Sequence, residues 1–206
     1  MSSLLISVMI FMLVGGSIAE LIGRKRTLII GQSCILVGWT TMYLAKHFPI
    51  LLVGRLIIGA GIGVCLPTST LQLSEISLIK MRGTLSMMGY LVMNAGAVNS
   101  LISAANFSIH TVMILSILPP VVFLLTCYFL PESPVWLMKK GHTEKARLSL
   151  FSLRGPDYDM NHELKEIEDL VTTQDDSGWL DKLKKLHSRE NAIPFAIISV
   201  IFILQV

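Results

Sequence analysis

The charged side chains of this chain sit where charge is expensive. Gly23-Arg24-Lys25-Arg26 separates one long apolar run, Leu4 to Ile22, from a second, Leu28 to Ala45. Glu20 precedes the cations by one helical turn. Glu75 and Arg82 bracket a later break between apolar runs, and Glu132 follows the last complete run, within Pro131-Glu132-Ser133-Pro134. An acidic group one turn inside an apolar helix costs free energy unless it is paired. Residues of these types at run ends suit ion pairs and helix-end contacts. No set for covalent chemistry is evident, so no enzyme, cofactor or metal is implied. The five histidines lie apart in polar turns or in the acidic stretch, and Cys34, Cys65 and Cys127 lie in apolar runs as small hydrophobes.

The elements that must position these groups are long helices in a bilayer. The chain has 206 residues, 52% hydrophobic and 15% charged. Its mean hydropathy is +0.66. A soluble domain carries about a quarter charged residues. Five spans are expected, at about 4–22, 28–45, 50–73, 85–104 and 110–130, each near the ~20 residues that cross the hydrocarbon core. A sixth apolar run opens near Ile193 and is cut at Val206. Basic residues fall in the first and third connections, Arg24 to Arg26 and then Lys80 and Arg82. Basic loops stay in the cytoplasm, so the start is placed outside. The start has no basic leader and reads as a retained span rather than a signal peptide. An odd number of full spans is expected to reflect a piece of a longer transporter or an incomplete gene product. The net charge of +3, with no basic stripe interleaved with aromatics, excludes a nucleic-acid partner.

Of the 14 acidic residues, 12 lie between Glu132 and Glu190, which marks a polar insert. The expected organisation is a transmembrane bundle over 1–130, a cytoplasmic helical domain over 131–192, and the start of another span over 193–206. Ser133-Pro134 is an N-terminal helix signal, with Gly141 as a stop. Thr143 opens a second helix ending near Leu153-Arg154-Gly155. A third carries Leu164, Ile167 and Val171 on one face, and a fourth follows Ser177.

Four local signatures recur in order at the span ends: Gly15-Gly16-Ser17-Ile18-Ala19-Glu20-Leu21-Ile22-Gly23-Arg24-Lys25; Gly54-Arg55 with Gly59, Gly61 and Gly63; Glu75 with Arg82-Gly83; and Pro131-Glu132-Ser133-Pro134-Val135-Trp136-Leu137. With them the chain resembles the sugar porter family of the major facilitator superfamily. Within it, the chain is most similar to the insect facilitated trehalose transporters. The resemblance maps the chain onto the family's second to sixth transmembrane helices, its intracellular helices and the opening of the seventh. It implies an all-α membrane protein, a partial major-facilitator bundle with a cytoplasmic helical domain.

The resemblance assigns conformational gating to Glu20, Gly23, Arg24, Lys25, Glu75, Arg82 and Glu132. A topology anchor is the alternative role of the cations. Departures from the pattern are Leu21 after Glu20, Val135 in place of arginine, and Thr70 and Gln72 in place of a proline and an aromatic. Pro67 is a candidate helix break, and Pro119-Pro120 a candidate kink. Gly59 and Gly63 form a small-xxx-small packing face that Gly61 widens, and Gly15 and Gly16 let two helices approach. Substrate-cavity candidates are Arg55, Tyr90 (aligned with a sugar-contacting glutamine), Asn94 and Asn99. Arg55 has snorkelling as its alternative, and the two asparagines have interhelical hydrogen bonding. The expected function is facilitated sugar transport, of trehalose or a hexose-like sugar, by alternating access at the plasma membrane. The chain is expected to act as part of a longer polypeptide, with a sugar, the bilayer and a missing C-terminal half or a full-length relative as partners. A truncated modulator of such a relative and a porter of another small solute are the other classes.

Overall fold

The computed structural model describes residues 2–77, 81–127, 129–155 and 163–169. Among the described residues, the first unit's helices run in order: α1 Ser2–Ile22, α2 Arg24–Tyr43, α3 Phe48–Ile76, α4 Arg82–Asn106, α5 Ile109–Cys127, α6 Pro134–Lys139 and α7 Thr143–Arg154. The described residues contain no strand. The chain forms two compact units, Met1–Tyr158 and Asp159–Val206. α6 and α7 therefore belong to the same unit as the five long helices. In the second unit, residues 163–169 are helical and bury Ile167. The expected helix after Ser177 and the run from Ile193 lie outside the described residues.

The long helices form because apolar runs in hydrocarbon must satisfy their backbone internally. Among the described residues, four helices are long and apolar enough to cross a membrane: Ser3–Ile22, Phe48–Ile76, Arg82–Asn106 and Ile109–Cys127. The fifth expected span, α2, falls outside this group. It opens with Arg24, Lys25 and Arg26, and carries Gln32, Ser33, Thr40 and Thr41 along its length. The polar side chains turn back on their own helix, as where Ser33 Oγ donates to the Ile29 carbonyl at 2.8 Å. The proline-bearing segments stay helical: α3 runs on past Pro67, and α5 past Pro119 and Pro120.

α3 is the centre of the unit, packed against both α1 and α2, and α5 packs on α2. Glycines set these distances. On one side of α3, a Cβ at Gly59 would lie 2.8 Å from the Leu4 carbonyl, and one at Gly63 2.6 Å from that of Val8. Backbones this close give dispersion contact that larger residues forbid. Gly15 completes the seam against Val64, whereas Gly16 faces open space and contributes nothing to it. Ser7 Oγ donates to the Leu56 carbonyl at 2.8 Å along the same seam.

The opposite side of α3 makes a second seam. A Cβ at Gly61 would stand 2.6 Å from the Gly31 carbonyl, and Gly38 and Gly54 face each other one step further along. Gly61 therefore does not widen the Gly59–Gly63 face. Two residues from Gly59 is about 200° around a helix, which turns it toward α2. Leu28, Ile35 and Cys65 form the core of this interface, with Trp39, Ile62, Phe123 and Leu130 against it. α4 buries no residue.

Candidate functional site

The polar groups converge where α1 turns into α2. Gly23 makes that turn with φ 108° and ψ 154°, a backbone region that side chains other than hydrogen strain to adopt. A Cβ there would also lie 2.9 Å from Glu132 Oε2. The turn buries Arg24 almost completely (1% exposed), yet its guanidinium is satisfied. Nε donates to Glu75 Oε2 at 3.0 Å, Nη2 to Glu75 Oε1 at 2.8 Å, and Nη1 to the Ala19 carbonyl at 3.3 Å. Two parallel bonds between a planar fork and a carboxylate are the strong form of this contact.

Glu75 also accepts from Ser133 Oγ. The same Ser133 oxygen accepts from Trp136 N at 3.2 Å, capping α6, as its place before Pro134 predicts. The neighbouring Glu132 closes the other side. Its Oε1 accepts from Lys25 N at 2.9 Å and from Ser133 N at 3.3 Å. The first bond makes Glu132 a tertiary cap. Gly23 has no side chain with which to cap α2, and a carboxylate 107 residues away occupies the N-terminus, where orphan N–H groups and the helix dipole favour an anion.

Further bonds tie the segment Leu130–Ser133 to its surroundings. Gln72 Nε2 donates to the Pro131 carbonyl at 3.2 Å, and Ser149 Oγ of α7 donates to the Glu132 carbonyl at 2.6 Å. Trp136 Nε1 donates to the Glu20 carbonyl at 2.8 Å, near the end of α1. Thus α1, α2, α3, α6 and α7 meet in one polar knot. One buried atom in it, Gln72 Oε1, has no partner among the described residues.

Of the gating candidates, the knot gathers Gly23, Arg24, the Lys25 backbone, Glu75 and Glu132. Glu20 contributes its carbonyl, while its carboxylate is exposed and unpaired among the described residues. Arg82 stands exposed at the first position of α4, and its guanidinium has no partner among the described residues. The physical reason is that Arg24 and Ser133 already hold both Glu75 oxygens. Ser133 as a donor to Glu75, Gln72, Trp136 and Ser149 belong to the knot beyond what the motifs predicted. Their signal in the sequence was local only, an N-cap serine and an amphipathic stretch.

The substrate-cavity candidates are not brought together. Arg55 is exposed on α3. Tyr90, Asn94 and Asn99 are exposed on α4, and Asn94 Nδ2 donates to the Tyr90 carbonyl of its own helix at 2.8 Å. Asn94 lies one turn from Tyr90, and Asn99 falls about 140° further round.

A family model described as "Sugar (and other) transporter" matches residues 1–206. Among curated relatives, sugar transporter ERD6 of Arabidopsis thaliana is 32% identical over 92% of this chain and 38% of its own length. The facilitated trehalose transporter Tret1 of Culex quinquefasciatus is 30% identical over 84% of the chain and 34% of its own length. The chain thus spans about a third of the length of these curated relatives. Among solved structures, the major facilitator superfamily proton:xylose symporter XylE bound to 6-bromo-6-deoxy-D-glucose aligns with TM-score 0.68 at 22% identity, over 84% of this chain and 42% of that one. A partially occluded inward-open conformation of the Escherichia coli xylose transporter XylE aligns with TM-score 0.72 at 22% identity, over 82% and 45%. These likenesses give the fold, part of an all-α major-facilitator helical bundle. With a match along its whole length, the chain belongs to the sugar (and other) transporter family.

Proposed function

We propose that this segment serves facilitated transport of a trehalose- or hexose-like sugar by alternating access, within a longer polypeptide, and that the knot controls the gate at its basic end. The observation that carries the reading is the Arg24–Glu75 pair with its Ser133 and Glu132 ties. Major-facilitator carriers rock two halves around a midplane site. A half that rocks as one body needs its gate turn fixed to its own helices. The two glycine seams fix α1 and α2 to α3, and the knot fixes the turn between them. In that position Arg26 is presented at the surface, exposed, for contact with a facing half. The basic loops put this end and the 131–192 stretch in the cytoplasm, and the plasma membrane is the expected location.

The named gating residues divide accordingly. Gly23, Arg24, Glu75 and Glu132 hold the turn, and Glu20, Lys25 and Arg82 are the charges around it that a facing half meets. Arg55, Tyr90, Asn94 and Asn99 are the proposed cavity side chains. The test is counterflow of radiolabelled trehalose and glucose into liposomes. One set carries this chain alone, and another a longer polypeptide containing it. Saturable sugar entry with the longer polypeptide and none with the chain alone is the expected result. Robust uptake by this chain alone would overturn the reading, as would a longer polypeptide inert to every neutral sugar.

A further inference from the structure

A crevice lies between α2 and α5, beside the α2–α3 interface, whose Ile35 also lines it. Its volume is about 400 Å³, and Gln32, Trp39, Ser116, Pro119, Pro120 and Phe123 line it. Ligand sites for small molecules start at about 300 Å³. Two of the lining residues carry polar groups that lack a partner among the described residues. The Gln32 carboxamide makes no hydrogen bond with any described residue. The Ser116 carbonyl is left unserved by its own helix, because the residues three and four further on are Pro119 and Pro120, which have no N–H. No side-chain donor reaches it among the described residues.

Gln32 is eight residues from the start of α2 and Ser116 seven from the start of α5, about 12 Å and 10 Å along their axes. Both are therefore deep in the hydrocarbon, where an unpaired amide or carbonyl costs several kcal/mol. Something must answer them. A lone water fills roughly 30 Å³ and would leave the Trp39 and Phe123 faces uncovered. The space asks for one group that both donates and accepts, attached to an apolar body.

We propose that the α2–α5 crevice is a binding site for a small hydroxyl-bearing amphiphile that arrives through the bilayer. Its hydroxyl donates to the Ser116 carbonyl and accepts from Gln32 Nε2, and its alkyl or ring body lies against Trp39, Pro120 and Phe123. The site is separate from the polar knot and from the cavity candidates on α4, so it is a place where membrane-soluble alcohols act on the bundle.

The test is photolabelling of the whole chain in liposomes with a diazirine-bearing octanol, read by mass spectrometry. Adducts are expected to concentrate on 32–39 and 116–123. Excess octanol should suppress them at least fivefold, and octane should not. Gln32→Leu should lose the saturable part while melting like the parent chain, since Gln32 has no partner to lose. Pro120→Ala provides a second arm. It gives Ser116 an N–H at the fourth residue, leaves the fold intact, and should weaken labelling at least twofold. Three results would each overturn the site. They are even, unsaturable labelling extending to exposed positions such as Leu13 and Val92, equal suppression by octane, and unchanged labelling of both variants.

Discussion

Arg24 and Glu75, 51 residues apart, meet through two parallel hydrogen bonds of 3.0 and 2.8 Å, with the guanidinium side chain 2% exposed and the carboxylate 12%. A charge so buried at the end of a hydrophobic helix is tolerated only because its partner is held in place. Ser133 fixes Glu75 from one side, and the Ala19 carbonyl fixes Arg24 from the other. The pair therefore reports on the whole knot.

Removing one member should cost more than removing both. Arg24→Ala leaves Glu75 as an uncompensated buried charge, and a loss of about 3–5 kcal/mol is expected. Arg24→Lys keeps the charge but gives up the fork, so a loss between that and the parent is expected. Denaturant or thermal unfolding of the chain in detergent measures both, and the order parent, lysine, alanine is the predicted ranking.

Gly23→Ala meets two penalties at one atom. The backbone at φ 108° and ψ 154° is nearly restricted to glycine, and the added methyl carbon meets Glu132 Oε2 at 2.9 Å. The strain alone is worth about 1–3 kcal/mol. If Glu132 is displaced, the cap on Lys25 N is lost too. Gly23→Ala combined with Glu132→Ala should be less than additive in unfolding free energy, since the second change removes the clash.

The seams predict a contrast between glycines of equal local sequence character. Gly61→Val and Gly63→Val should each separate helices whose carbonyls stand 2.6 Å from the new carbon, at about 1–3 kcal/mol or more. Gly16→Ala should be neutral or stabilising by up to about 1 kcal/mol, because its Cβ meets nothing and alanine favours the helix. Melting of the three variants decides it, and equal behaviour would contradict the seam assignment.

Gln72 is a half-satisfied group, bonded at Nε2 and orphaned at Oε1. Gln72→Leu loses a hydrogen bond worth about 1 kcal/mol and a buried orphan costing about 1–3 kcal/mol. The variant is expected to be as stable as the parent or more so. A loss like that of Arg24→Ala would show that Oε1 has a partner of consequence.

The long helices were legible because hydrocarbon requires a simple code, about 20 apolar residues between polar ends. The five runs found their helices within a few residues, from α1 at Ser2–Ile22 to α5 at Ile109–Cys127. The one departure, α2, came from polar residues that bond their own backbone and lower its apolarity without breaking it. Glu75 and Glu132 were legible as charges needing partners, but the partners were not. Arg82 shares a motif with Glu75 and lies seven residues from it, yet the fold pairs Glu75 with Arg24, from 51 residues away. Local spacing cannot foresee a pair closed by tertiary packing. The same holds for Glu132 as the cap of α2, and for Gly61, whose face depends on which helix lies on each side of α3. For Asn94, sugar contact and interhelical hydrogen bonding are both open from the sequence; its own helix supplies a partner, the Tyr90 carbonyl.

If Arg24 and Glu75 act as one unit in a sugar carrier, their effects on transport must be coupled. The decisive measurement is a double-mutant cycle on the initial rate of sugar counterflow, using Arg24→Met, Glu75→Gln and the pair in the longer polypeptide. Each single change is predicted to slow exchange at least tenfold, with the pair no slower than either. Losses that multiply independently, or single variants that exchange sugar at the parent rate, would contradict the coupling.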